Sequence, residues 1–143
     1  MSDIDKELGP IIEEFNRSAE AEEARKQREA YIARLEKFKT LVSDVINPKM
    51  IEYAQYLNER GQNARISIHW HFFDIIFEIH GNPLRTHGTI CTLEFAQVNH
   101  KIKVIEQIRG HSTDELYNED QITQELVKNK VVGFIKKFFR VYV

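Results

Sequence analysis

Two histidines one residue apart, His69 and His71, stand within a stretch of alternating apolar residues. On a strand, side chains two positions apart point to the same face. Both imidazoles would then reach one metal ion, with Asp74, Glu78 and His80 near enough in sequence to complete a ligand set. The solvent face of any half-buried strand also carries polar residues at such positions, opposite Ile66, Ile68, Trp70 and Phe72. The expectation is ordinary sheet-surface histidines, with no bound metal and no cofactor. A second polar group lies between His80 and Gly88. There Arg85 and His87 have the chemistry to hold a phosphate or move a proton. Gly81, Asn82, Pro83 and Gly88 are equally what a turn requires. His69, His71, Arg85 and His87 together define a small-ligand-binding or enzymatic alternative for this chain.

The remaining chemistry signals are weak. Arg65 and His71 have an Arg-x5-His spacing that resembles the signature of helical HEPN-type ribonucleases, but both fall in a β pattern, which rules that match out. No phosphate-binding Walker sequence, GxGxxG, HExxH or GxSxG occurs. Ser67, Ser112 and Cys91 have no convincing base beside them in sequence. A single cysteine excludes an internal disulfide framework and an all-cysteine metal site. The 20 basic and 22 acidic side chains nearly cancel. That balance argues against a nucleic-acid coat or a polybasic membrane anchor. No apolar run approaches the roughly 18–20 residues that span a bilayer. The acidic start of the sequence lacks the pattern of a secretory signal, so the chain reads as cytoplasmic.

The elements that must position these residues follow from periodicity. Gly9-Pro10 reads as a helix start, and no Pro or Gly interrupts Ile11 to Asn47. Those ~37 residues would make a helix roughly 55 Å long. Ile11, Ile12 and Phe15 form an apolar patch at its beginning. Asn16 to Ala30 then carries no large apolar side chain. From Tyr31 the stripe resumes through Ile32, Leu35, Phe38, Leu41, Val42, Val45 and Ile46, at helical spacing. Asn47-Pro48 should break the helix and cap a second one, with Met50, Ile51, Ala54 and Leu57 inward and Gly61 closing it.

From Ala64 the period becomes two, and it changes phase between Phe72 and Phe73, as a bulge or turn would cause. Further strands are expected over Thr89 to Ala96 and Ile102 to Ile108, joined by a hairpin at Val98 to Lys101. The short connections demand antiparallel pairing. His111 to Asp120 reads as a polar loop. Thr123 then caps a final helix with Ile122, Leu126, Val127, Val131, Phe134, Ile135, Phe138 and Tyr142 on one face and Lys128, Lys130, Lys136, Lys137 and Arg140 on the other.

The reading is a two-layer α+β protein: a long N-terminal helix, a second helix, a three- to four-stranded antiparallel sheet and a C-terminal helix. Residues 1–30 form a projecting helical extension and 31–143 the compact domain. The pattern favours a non-enzymatic protein-interaction or self-association module, with Ile11, Ile12 and Phe15 as the interaction site. An isolated apolar patch needs something to bury it. A homodimer is expected, or a protein partner docked on the N-terminal helix, and neither a membrane nor a nucleic acid.

Overall fold

A computed structural model describes residues 2–81 and 90–142, without the side chains of the last two. The loop residues Arg85 and His87 lie outside the described residues. The chain divides into two compact units, Met1–Lys37 and Phe38–Val143.

The first unit is helical. Helix α1 spans Asp3–Asn16, with the Ser2 side chain accepting from the Asp5 N–H at 3.2 Å and Asp3 and Asp5 in the first turn. Both features suit the unpaired, partly positive amides of a helix start. The helix therefore begins well before Gly9-Pro10 and runs through Pro10. Pro10 removes one backbone donor, and Gly9 has no Cβ to clash with the proline ring. Helix α2 spans Ala19–Leu41. The expected uninterrupted helix is thus broken at Arg17 and Ser18. There the Ser18 hydroxyl donates to the Phe15 carbonyl at 2.5 Å and accepts from the Ala21 N–H at 3.1 Å. A serine that bonds its own neighbouring backbone competes with the helical ladder, so a break needs neither Pro nor Gly.

In the second unit the helical path continues through a π-helical turn, Val42–Ile46, into α3, Asn47–Asn58. Asn47 keeps helical angles, φ −61° and ψ −41°, so Asn47-Pro48 widens the helix rather than ending it. The Asp44 carbonyl, four residues before Pro48, is the one an α-helix would leave without a donor. It accepts instead from Gln124 Nε2 at 2.9 Å. Phe38, Val42, Ile46 and Met50 follow one another at intervals of four and are all fully buried. Ile32, expected in the core, is exposed.

The sheet has five strands, not three or four: β1 Asn63–His69, β2 Asp74–His80, β3 Ile90–Val98, β4 Lys101–Ile108 and β5 His111–Asn118. They lie in sequence order, every neighbouring pair antiparallel. The phase change at Phe72 is a 3-10 turn, Trp70–Phe72, followed by Phe73 in the left-handed region at φ 53°. The β3–β4 and β4–β5 hairpins each have two central residues at positive φ, Asn99-His100 and Arg109-Gly110. That geometry matches the natural twist of paired strands. Strand β5 is the segment expected to be a loop. Every residue in it except Tyr117 is exposed, so it shows no apolar alternation.

Ile75, Phe77 and Ile79 of β2, Cys91, Leu93 and Phe95 of β3, and Ile102 and Val104 of β4 form the buried face. The C-terminal helix α4, Gln124–Tyr142, adds Val127, Val131, Phe134 and Phe138 to that core. Phe134 meets Phe77 edge to face at 6.0 Å. Phe38 does the same with Trp70 and Phe73, at 6.0 and 5.9 Å. Thr123 caps α4 through its hydroxyl, which accepts from the Leu126 N–H. This is the expected α+β class, with helices on one face of an antiparallel sheet. No helix among the described residues is long and apolar enough to cross a membrane.

Candidate functional site

Helix α1 presents the first candidate. Ile4, Leu8, Ile11, Ile12 and Phe15 recur at spacings of three and four, so they share one face. All five are between 47% and 67% exposed, and the helix has no buried residue. The patch foreseen at Ile11, Ile12 and Phe15 is therefore longer by about two turns. Ile4 and Leu8 were hidden by the assumption that the helix starts at Pro10. The signal that could have found them is Ser2 as a cap followed by two acidic residues. At about 3.6 residues per turn, Glu7 and Glu14 flank one side of the apolar face and Asp5 the other.

The second candidate lies on the sheet face turned away from the helices. His69, Asp74, Glu94 and Lys103 alternate with inward positions, and Asp114 joins their face through its register with Ile105, so the five follow one another across all five strands. His69 Nδ1 lies 2.7 Å from Asp74 Oδ1. The Glu94 carboxyl hydrogen-bonds to Asp74. Lys103 Nζ lies 3.4 Å from Asp114 Oδ2. Partial burial, together with the neighbouring Asp74 carboxylate, pushes the Glu94 carboxyl up to about 7, against the opposing pull of His69 and Lys103. Near neutral pH the Glu94 carboxyl is therefore partly protonated and can donate to Asp74. Such a group has the right pKa for proton transfer.

His69 and His71, the alternative metal pair by their spacing, do not share a strand face. His69 ends β1, whereas His71 sits in the middle of the 3-10 turn, where the strand alternation no longer applies. His80 pairs with Glu78 at 3.0 Å, on the same strand and away from His69. Among the described residues, no group of three or more His, Cys, Asp or Glu side chains is placed to hold a metal ion.

The opposite edge of the sheet is tied down rather than open. Lys130 of α4 reaches Glu115 Oε1 of β5 at 3.0 Å, and the Tyr117 hydroxyl donates to the same carboxylate. Tyr117 and Lys130 together hold the Glu115 carboxyl below the usual glutamate range. A pocket of about 360 Å³ beside the β4–β5 turn is lined by Glu106, Arg109, His111 and Lys137. Lys137 is already paired with Glu106 there, at 2.8 Å, which removes most of its pull on an anion.

No protein-family model matches the chain, and neither the curated proteins nor the solved structures show a significant match to it.

Proposed function

We propose that the protein is a non-enzymatic interaction module that self-associates as a homodimer through α1. The observation that supports this most is the apolar face of Ile4, Leu8, Ile11, Ile12 and Phe15, exposed along the whole helix. Leaving five such side chains in water forfeits several kcal/mol that a partner would recover, at roughly 1.5–3 kcal/mol for each one fully buried. The flanking carboxylates favour a protein over a membrane, because interfacial helices carry Lys and Arg beside their apolar face. Closed two-fold association is the commonest arrangement among homo-oligomers. Size exclusion with light scattering tests it. The wild type should have the mass of a dimer at tens of micromolar, and Ile11→Asp with Ile12→Asp should give a monomer. A monomeric wild type would overturn the proposal.

A second reading, ligand binding or acid–base chemistry on the open sheet face, is favoured by the hydrogen-bonded row of His69, Asp74 and Glu94 with its raised Glu94 carboxyl. Binding lost in Glu94→Gln and His69→Ala, with unchanged molar mass, would support it over the first.

A further inference from the structure

We infer that the partner of α1 is a groove between α3 and α4 on a second copy of this chain, with the two copies exchanging α1 reciprocally. This rests on the reading of α1 as the association helix. The groove has a volume of about 350 Å³ and is lined by Tyr53, Tyr56 and Leu57 of α3 and by Val132, Ile135 and Lys136 of α4. Apart from the Lys136 ammonium and the tyrosine hydroxyls, that lining is apolar. An amphipathic helix laid into a groove between two helices is a common mode of recognition. The lengths agree: α1, at 14 residues, is roughly 21 Å long, and α3, at 12, roughly 18 Å.

Charge selects the occupant. Within α1 stand Asp3, Asp5, Glu7, Glu13 and Glu14 against Lys6 alone. On α4, Lys128, Val132, Lys136 and Arg140 recur every four residues and so form one stripe, with Val132 and Lys136 in the groove wall. Lys128, Lys136 and Arg140 make no ion pair among the described residues, whereas Lys130 and Lys137 are engaged with β5 and β4. On the α3 side, Arg60 stacks on the Tyr56 ring at 3.6 Å. The acidic flank of α1, Glu7 and Glu14, repeats at seven residues. The basic stripe repeats at eight between Lys128 and Lys136, so the two rows have nearly the same spacing. Pairing α1 with α1 would instead set carboxylates against carboxylates. The chain thus carries both an uncovered acidic-flanked helix and an uncovered basic-walled groove. Reciprocal exchange between two copies covers both and closes the assembly at a dimer.

The experiment uses the full chain. Glu7→Lys with Glu14→Lys, and separately Lys128→Glu with Lys136→Glu, should each raise the dimer dissociation constant by about 10-fold or more, and the combination of all four should restore much of the loss. Ile12→Cys and Tyr56→Cys, made in separate chains and mixed, should form a disulfide-linked heterodimer. The only native cysteine, Cys91, is fully buried and stays out of the reaction. A dimer that Ile11→Asp with Ile12→Asp disrupts, but that ignores the charge reversals and gives no mixed disulfide, would overturn the groove and leave α1 as the association helix. A monomer in which a chain carrying both cysteines closes on itself would show that α1 occupies its own groove, and would overturn the exchange. A monomer with no cross-link at all would overturn both the exchange and the association reading.

Discussion

In α4, Val127, Val131, Phe134 and Phe138 recur at intervals of three and four, and all are buried. In α1, Ile4, Leu8, Ile11, Ile12 and Phe15 recur at the same intervals, and none is buried. Both helices are capped at the start by a hydroxyl, from Thr123 and Ser2. The difference lies in what the chain supplies to cover them. Helix α4 follows five strands whose inward face holds Ile75, Phe77, Leu93 and Phe95. Helix α1 is followed by Asn16 to Ala30, which offers no large apolar side chain. Among the described residues up to Lys37, only Ala21 is buried. Periodicity makes the helix and chooses its face, but the cover comes from elsewhere, and for α1 we assign it to another molecule.

The largest test of that contrast is on the α4 side. Phe134→Ala removes a fully buried ring packed on Phe77 and should cost about 3–5 kcal/mol in equilibrium unfolding. Phe38→Ala, equally buried against Trp70 and Phe73, should cost a similar amount. A negligible cost at either position would mean that the core is packed no better than the face of α1.

Next in size is the join between the helices and the sheet. Asn58 Oδ1 accepts from the Ala64 N–H at 2.8 Å, and Asn58 Nδ2 donates to the Ala64 carbonyl at 3.0 Å. Ala64 is buried, so Asn58→Ala should leave two backbone groups unpaired and cost about 1–3 kcal/mol. Chemical denaturation should show it as a lower midpoint with an unchanged slope.

The open sheet face should respond to pH instead. Glu94 holds its proton up to about pH 7 in the folded state, and would release it near 4.5 when unfolded. Across that window the folded state binds more protons than the unfolded one, so stability falls as pH rises from 4.5 to 7 and is level above. Glu94→Gln should flatten that contribution. A stability that rises through the same window in the wild type, and falls in the variant, would contradict the raised Glu94 carboxyl.

The smallest effect is expected on α1. Ile12→Ala should change the unfolding free energy of the dilute monomer by less than about 0.5 kcal/mol, while weakening association measured by molar mass. Removing residues 2–28 should leave the fold of the remainder intact by circular dichroism. Unfolding on truncation would mean that the helix stabilises its own core, and the contrast with α4 would collapse.

Local chemistry made most of the architecture legible. The change from a period of four to a period of two near Ala64, the reversal of phase at Phe72 and Phe73, and the Asn99-His100 hairpin all appear as written in the sequence. What stayed hidden was of two kinds. Strand β5 carries almost no apolar residues, because it is an edge strand held by backbone bonds to β4 and by Glu115 and Tyr117 to Lys130, and alternation cannot mark such a strand. The break at Ser18 and the continuation through Pro48 depend on hydrogen bonds, one from a side chain to its own neighbouring backbone and one from Gln124, 80 residues away.

The same division holds for the candidate sites. Ile11, Ile12 and Phe15 stand out in the sequence because an apolar patch cut off by a polar stretch is a local property. The pairing of His69 with Asp74 and of Asp74 with Glu94 is not, since it requires the register of β1, β2 and β3. His69 and His71 looked alike by spacing, and a single turn of 3-10 helix sent them to different places. The sequence by itself determined the periodicity of the apolar segments, and which of their faces are apolar, because those depend on residues within a few positions of one another. Tertiary structure decided which apolar face found a cover and which carboxyl is pushed up, because burial and electrostatic coupling are set by neighbours that are distant along the chain and close in space.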